Sequence, residues 1–133
     1  MSGNELAHAA ASFVGASFRL HGRDPILGLD CVGLGLLAMA EIGRPVRLPV
    51  SYQLRNLEPE RFLQLPAAAG FVEPTDTELE HGDVLVFAPG AAQLHLAIVA
   101  VGGGIIHAHA GLRRVVHTPF PLPWPIIGHW RLK

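Results

Sequence analysis

Five short segments between residues 83 and 132 constrain the fold more than any other feature of the chain. Each is rich in aliphatic, often β-branched residues and is bounded by glycine or proline. They read "DVLVFA", "LHLAIVAV", "GIIHAHA", "RRVVHTP" and "IIGHWRL". This pattern is typical of sequential antiparallel strands joined by short turns. It predicts a small antiparallel sheet in the C-terminal half.

The N-terminal half carries helix signals instead. In "SGNELAHAAASF", Ser2 and Glu5 have the spacing of a capping box, which predicts a helix over residues 4–15. Residues 31–42 are apolar on nearly every side, which indicates a buried helix. A weaker helix is predicted over residues 58–64, within a Pro-rich and charged connector. Helices followed by strands predict an α+β domain, with the N-terminal helices packed on a small C-terminal antiparallel sheet.

Size and composition limit the class of protein. A chain of 133 residues with 50% hydrophobic and 16% charged residues is expected to form one domain over residues 1–133. The net charge of −1 argues against nucleic acid or an anionic membrane as a partner, because no excess of cations exists to neutralise phosphates. Neither a membrane span nor a signal peptide is expected, so synthesis in the cytoplasm is predicted.

The one cysteine follows an aspartate at the start of the apolar helix, in "GLDCVGLGLLAMA". Asp30 is a typical N-cap residue, which places Cys31 in the first helical turn. The free amides and the positive end of the helix dipole would favour a thiolate there, so a partly formed thiolate is expected at neutral pH. The alternative is a buried cysteine that serves only as a small hydrophobic residue.

Two glycines follow Cys31 inside the same helix. Gly33 and Gly35 each cost about 1 kcal/mol relative to alanine in a helix interior. We therefore expect another segment of backbone to approach this turn closely.

The chain has eight histidines, and five of them lie beside turns or at the ends of elements, where a solvated imidazole is expected. These five are His8, His21, His81, His117 and His129. His95 is different because it lies within an apolar strand and needs a polar partner. His107 and His109 share one face of the next predicted strand.

The glycine-rich turn between these strands leaves their register open. An even register places His95 on the same face as His107 or His109, whereas an odd register separates them. A nucleophilic thiol needs a base within hydrogen-bond reach, and that base needs a third polar group to orient it. Cys31, His95 and His107 would take these three places in order.

Four segments together resemble the NlpC-type cysteine peptidases of bacterial cell-wall turnover. They are the nucleophile segment "FRLHGRDPILGLDCVGL", the Gly-Asp strand "HGDVLVF", the base-bearing strand "LHLAIV" and "IIHA", which carries the third polar residue. The order Cys, His, His and the separation of twelve residues between His95 and His107 fit this family.

The resemblance implies a papain-like fold with the nucleophile at the start of a buried helix. It implies hydrolysis of the peptide stem of peptidoglycan next to a D-glutamyl residue, with no cofactor and no metal. Cys31 would attack the carbonyl, His95 would act as general base and then acid, and His107 would orient His95. His107 is preferred to His109 on the family spacing. The backbone N–H of Cys31 would be one oxyanion donor.

The motif "GRDP" ahead of "GLDCVGL" is similar to the branch of this family found in phage tails and gene transfer agents. This narrower resemblance implies phage tail or gene transfer agent proteins as partners. It also implies action at the cell wall, as part of a phage-like particle.

Two positions depart from the family pattern. Val32 stands where a serine commonly follows the cysteine, and Phe18 stands where a tyrosine commonly contributes a hydroxyl near the oxyanion. Loss of one oxyanion donor can cost about a hundredfold in rate, so a slow enzyme is expected. Tyr52, the only tyrosine, could supply the hydroxyl, and its alternative is an ordinary aromatic residue beside a turn.

Three other interpretations remain open from the residues. Cys31, His95, His107 and His109 are all acceptable zinc ligands, although they lack the tight spacing of structural zinc sites. A domain with a peptidase fold could also serve as a non-catalytic tail-assembly or wall-binding component. Finally, a Cys-His pair specifies acyl transfer but not the acyl donor, so an amidase or acyltransferase is a further alternative.

Overall fold

The protein is described by a computed structural model that covers residues 2–47, 59–90 and 93–133. The helices within these ranges are α1 (Ser2–Ala11), α2 (Cys31–Glu41) and α3 (Pro59–Ala68). The first three strands are short, and they are β1 (Arg23–Asp24), β2 (Gly28–Leu29) and β3 (Phe71–Val72). The longer strands are β4 (Val84–Gly90), β5 (Gln93–Val99), β6 (Ile105–His109), β7 (Arg114–Thr118) and β8 (Ile126–Leu132).

The main sheet has six strands in the order β3-β8-β4-β5-β6-β7, and every pairing is antiparallel. Strands β4 to β7 are neighbours in chain order, as the sequence predicts. The last strand, β8, does not continue this series but pairs with β4 on the other side, with β3 outside it. The Pro-rich segment "PFPLPWP" makes the connection from β7 to β8. The α+β class is therefore confirmed, with a different position for the final strand.

Both faces of the sheet are covered by apolar residues. The face toward the helices carries Val84, Val86, Leu96, Ile98 and Ile106, which belong to one cluster with Leu6 of α1 and Leu34 of α2. The opposite face carries Leu85, Phe87, Ala97, Val99 and Ile105, and these pack with Leu122 and Trp124 of the Pro-rich segment. The alternation along each strand thus supplies two buried faces rather than one buried and one solvated face.

Helix α1 begins earlier and ends earlier than the predicted range of 4–15. It already includes Ser2, the residue expected to cap it, and it ends at Ala11. The residues that follow α1 form hydrogen bonds with a distant segment instead of extending the helix. Gly15 N–H donates to the carbonyl oxygen of Val115, and Val115 N–H donates to the carbonyl oxygen of Ala16. Helix α2 ends one residue before the predicted boundary, and α3 begins one residue later and ends four residues later than predicted.

The first turn of α2 is packed tightly against backbone. The side chain of Asp30 accepts a hydrogen bond from Gly33 N–H, so the predicted N-cap is confirmed. A Cβ added at Gly33 would collide with the carbonyl oxygen of Gly22, which confirms the expected close approach of another backbone. The same expectation is wrong for Gly35, where a Cβ would meet only Leu96 Cδ2 at 3.8 Å.

Replacing these two glycines should have opposite effects on stability. We expect Gly33→Ala to lower the free energy of unfolding by about 1–3 kcal/mol, because the methyl group must displace backbone. Gly35→Ala should raise it by up to about 1 kcal/mol, because alanine favours the helix and its Cβ fits. Urea unfolding followed by circular dichroism measures both values. Equal stability of the two variants would contradict the packing described here.

Candidate active site

The Asp30 carboxylate organises the start of α2. Its Oδ1 accepts hydrogen bonds from Gly33 N–H at 2.8 Å and from Arg23 Nη1 at 2.7 Å. Its Oδ2 accepts a third from His21 N–H at 2.9 Å. Asp30 is buried, and these three donors compensate for its desolvation. The carboxylate therefore ties the turn that contains Cys31 to the segment before it.

Cys31 and His95 line the same cleft, which encloses about 280 Å³. The helix contributes Cys31 and Val32, and the sheet contributes Leu94, His95 and Ala108. The segment before α2 forms another wall, with Phe18, Leu20, His21 and Arg23. Cys31 is half-buried there as a free thiol. The structure thus places in one cleft two residues that lie 64 positions apart in the sequence.

The pairing of β5 with β6 joins His95 to His107. Ile98 lies opposite Ile106 and Val99 lies opposite Ile105, so the register is the even one. Nε2 of His95 lies 2.7 Å from Nδ1 of His107, within hydrogen-bond distance. His109 is not part of this hydrogen bond, and its Nδ1 accepts from Leu112 N–H at 3.0 Å.

Two residues that sequence reasoning missed complete the surroundings of this pair. Nε2 of His107 lies 2.7 Å from Oγ1 of Thr118 on β7, so both ring nitrogens of His107 have partners. The indole of Trp124 meets both imidazoles edge-on, with ring centroids 6.0 Å from His95 and 5.9 Å from His107. Neither contact can be predicted from a short stretch of sequence. The contact of Thr118 with His107 depends on the β6–β7 register, and the contacts of Trp124 depend on the path of the Pro-rich segment.

Burial keeps both imidazoles neutral. Desolvation lowers the pKa of His95 to about 4, and repulsion from His109 adds to this effect. Desolvation lowers the pKa of His107 to about 3, with further contributions from His95 and His109. At neutral pH each ring therefore carries one proton, and each can donate one hydrogen bond and accept another.

The thiol of Cys31 is also neutral at rest. Desolvation raises its pKa to about 11, although a hydrogen bond from the backbone N–H of Leu96 works in the opposite direction. The expectation of a partly formed thiolate at neutral pH is therefore wrong. A helix terminus stabilises a charge by only about 0.3–1 kcal/mol at exposed sites, and here desolvation by the cleft walls outweighs it.

The predicted supporting residues have different outcomes. Phe18 is half-buried and lines the cleft, where it offers no hydroxyl. Tyr52 lies outside the described residues. Cys31 is the first residue of α2, so its N–H has no carbonyl partner within the helix and suits an oxyanion donor.

The expectation of a solvated imidazole is wrong for His129. Its Nε2 lies 2.6 Å from Oδ2 of Asp83, whose Oδ1 accepts from Arg131 Nε at 2.9 Å. Burial raises the pKa of Asp83, but hydrogen bonds from Arg131 and His129 outweigh it and hold that pKa below its ordinary value. The sequence did not indicate this cluster, because it forms only when β8 folds back beside β4.

Within the described ranges, no group of three His, Cys, Asp or Glu side chains is arranged to hold a metal ion. Nε2 of His95 and Nδ1 of His107 face each other as hydrogen-bond partners rather than facing a common point. Among the helices described here, none is long and apolar enough to cross a membrane.

Comparison with known proteins relates the chain to one fold. No family model and no curated protein matches the sequence. Among solved structures, the chain is similar to NlpC2 and NlpC1 from Trichomonas vaginalis, each with a TM-score of 0.69, at 18% and 20% sequence identity. These two matches cover 98% of this chain but only 45% and 44% of the Trichomonas chains.

The chain is also similar to the NlpC/p60 domain of the peptidoglycan hydrolase SagA, with a TM-score of 0.60 and 22% identity. This match covers 90% of each chain. The chain therefore has the fold of NlpC/p60 domains, as the resemblance in sequence implies. It spans less than half the length of the two Trichomonas proteins.

The raised pKa of Cys31 predicts slow alkylation at neutral pH. We expect iodoacetamide to modify native Cys31 more slowly than free cysteine at pH 7, with a rate that still increases above pH 9, because little thiolate forms below that pH. Intact-mass measurements over time at pH 6 to 10 test this, and the urea-unfolded chain provides the reference. Rapid alkylation below pH 7 would show that Cys31 is a thiolate at that pH and would contradict the raised pKa.

The half-buried His95 and the buried His107 predict a loss of stability in mild acid. The unfolded chain takes up their protons near pH 6.5, whereas the folded chain does so only near pH 4 and pH 3. Above about pH 7 both histidines are neutral in the folded and in the unfolded chain, so they do not lower the free energy of unfolding. As the pH falls from 6.5 toward 4, the unfolded chain binds protons that the folded chain does not bind, and the free energy of unfolding declines. Each histidine adds at most about 1.4 kcal/mol per pH unit to the slope of unfolding free energy against pH.

Urea midpoints measured between pH 7.5 and pH 4.5 test this dependence. His107→Asn should make the decline shallower because it removes one of the two groups. His8→Asn, at an exposed position, should leave the decline as in the wild type. An unchanged slope in His107→Asn would mean that His107 does not titrate as described.

Proposed function

We propose that this domain is a cysteine peptidase that hydrolyses peptide-stem bonds of bacterial peptidoglycan. One observation carries the proposal: Cys31, at the start of α2, shares a cleft with His95, whose Nε2 is hydrogen-bonded to His107. A nucleophile, a base and a group that orients the base are the elements of triad catalysis. The NlpC/p60 fold supports the substrate class, because one protein with this fold is a peptidoglycan hydrolase.

The hydrogen bonds are compatible with a set of tautomers that suits this chemistry. If His107 Nε2–H donates to Thr118 Oγ1, His107 Nδ1 is the acceptor for His95 Nε2–H. His95 Nδ1 then carries the lone pair that accepts the proton of Cys31. Thr118 and His107 are positioning residues in this scheme, and Cys31 and His95 are the catalytic residues.

The reaction begins from the neutral pair. Cys31 Sγ attacks the stem carbonyl carbon while its proton passes to His95 Nδ1, and His107 Nδ1 stabilises the imidazolium by accepting from Nε2–H. The N–H of Cys31 donates to the oxyanion. The carbon–nitrogen bond then breaks as His95 returns the proton to the leaving amine. Water, activated by His95, hydrolyses the thioester and regenerates the thiol.

The oxyanion site sets the expected rate. Phe18 offers no hydroxyl to the oxyanion, and the cost of one missing donor is about a hundredfold. We propose slow turnover for this reason. Tyr52 is the candidate for a replacement hydroxyl.

The finer assignment rests on the sequence motifs. We propose that the scissile bond lies next to a D-glutamyl residue, as the resemblance to NlpC-type peptidases implies. The "GRDP" motif supports an origin in phage tails or gene transfer agents, with action at the cell wall in a phage-like particle. Proteins of that particle would be the partners.

Phe18 also favours a second candidate, a non-catalytic tail-assembly or wall-binding domain with this fold. An amidase or acyltransferase would use the same Cys31 and His95, because these residues define acyl transfer rather than the acyl donor. Product analysis separates these alternatives from a peptidase.

Mass spectrometry of purified muropeptides after incubation with the protein tests the proposal. We expect the wild type to release stem fragments, Cys31→Ala to abolish release, and His95→Ala to reduce it by about 10²–10⁴-fold, the usual contribution of a general base. His8→Ala, at an exposed position, should retain full activity.

Circular dichroism of each variant provides the folding control. Stem cleavage by a folded Cys31→Ala variant would exclude this cysteine as the nucleophile. An absence of cleavage by the wild type would support the non-catalytic candidate.

A further inference from the structure

Trp124 packs against the two histidines of the site from outside the cleft. Its indole lies in T-shaped contact with His95 and with His107, at ring-centroid distances of 6.0 Å and 5.9 Å and with an interplanar angle of 74° in both pairs. These distances fall within the range of about 4.5–7 Å that aromatic pairs prefer. Trp124 is not among the residues that line the cleft of Cys31. It therefore contacts both imidazoles without forming a wall of that cleft.

The indole of Trp124 is itself held in place. Its ring centroid lies 5.9 Å from that of Phe87, a fully buried residue of β4 that lies directly opposite His95 in the β4–β5 pairing. The N–H of Ala88 donates to the carbonyl oxygen of Pro125 at 3.2 Å, which ties the Pro-rich segment to β4. The indole therefore presents a fixed surface to the imidazoles.

The proposed base needs such a surface. In the proposed mechanism, Nδ1 of His95 receives the proton of Cys31, so Nε2 is the nitrogen left for a hydrogen bond that orients the ring. His107 has partners at both ring nitrogens, whereas one hydrogen bond leaves the ring of His95 able to pivot. Packing has to supply the remaining constraint, and Trp124 contacts both imidazoles at once.

We propose that Trp124 is a positioning residue, which holds the imidazoles of His95 and His107 in their hydrogen-bonded arrangement and shields them from water on the side of the Pro-rich segment. This inference rests on the proposed peptidase function. It assigns a role in catalysis to a residue that does not line the cleft.

The proposal has a consequence for the titration of the two histidines. Desolvation is the main cause of the lowered pKa values of His95 and His107. Trp124→Ala would admit water to both rings and should therefore raise both pKa values toward the ordinary value of 6.5.

The charged and titratable groups around the pair are unchanged in this variant. Strand β4 contributes none of them. The groups on β6, on β7 and on the walls of the cleft are His109, Arg114, Cys31, Asp30, His21 and Arg23. A change in pKa would therefore report the hydration of the two rings.

Titration of the histidine ring signals by NMR between pH 4.5 and pH 8 provides the first readout. We expect the midpoints of His95 and His107 to lie below this range in the wild type and to move into it in Trp124→Ala. Trp124→Phe should give intermediate values, because it keeps a smaller aromatic ring. Leu122→Ala is the matched control, since Leu122 packs on the same apolar cluster from the same segment. It should keep the wild-type titration.

Cleavage of purified muropeptides provides the second readout. Trp124→Ala should lower kcat by about 10- to 100-fold with KM little changed, because a misplaced base slows the chemical step and leaves the walls of the cleft in place. The acid limb of kcat/KM should move to higher pH, since it reports the base of the free enzyme. Leu122→Ala should keep the kcat and the acid limb of the wild type.

An unchanged titration or an unchanged kcat in folded Trp124→Ala would overturn the proposal. Equal changes in Leu122→Ala would also overturn it, because they would indicate a general loss of packing. Circular dichroism shows whether each variant folds, and Trp124→Phe decides by the same criteria if Trp124→Ala does not. If the wild type cleaves no muropeptide, the peptidase proposal fails, and the titrations still decide whether Trp124 shields the pair.

Discussion

The Asp30 carboxylate is the interaction on which the site depends. It accepts hydrogen bonds from the first turn of α2, from the backbone of His21 and from the guanidinium of Arg23. The Asp30 carboxylate therefore caps α2, places Cys31 at the first position of that helix and holds the Arg23 guanidinium at the cleft. Because a buried carboxylate is costly without such partners, these three contacts stabilise one another.

The second half of the site depends on desolvation by the surrounding walls. His95 and His107 share a hydrogen bond at 2.7 Å beneath the edge of Trp124. Partial desolvation lowers the pKa values of both imidazoles and raises that of the Cys31 thiol, so all three groups are neutral at rest. The resting site therefore contains a neutral thiol and a neutral imidazole rather than a thiolate–imidazolium ion pair. In the proposed reaction, His95 would take the proton of Cys31 only during the attack. Charge would develop only along the reaction, where preorganised groups have their largest effect.

Much of the fold could be predicted because its signals are local. The Asp30 cap, the apolar α2 and the alternation within β4 to β8 are visible in short windows of sequence, since capping and strand pairing follow residue type and spacing. The position of β8 beside β4 was not predicted, because no local pattern records which edge a returning strand chooses. The same limit hid the hydrogen bond between His129 and Asp83.

By itself, the sequence determined the candidate residues: a lone cysteine behind a helix cap, and histidines within apolar strands that require polar partners. The tertiary structure decided which of them meet. The β5–β6 register joined His95 to His107 rather than to His109, and β7 brought Thr118 to the far nitrogen of His107. It also decided the protonation state, because desolvation depends on every wall of the cleft, and those walls come from segments far apart in the chain.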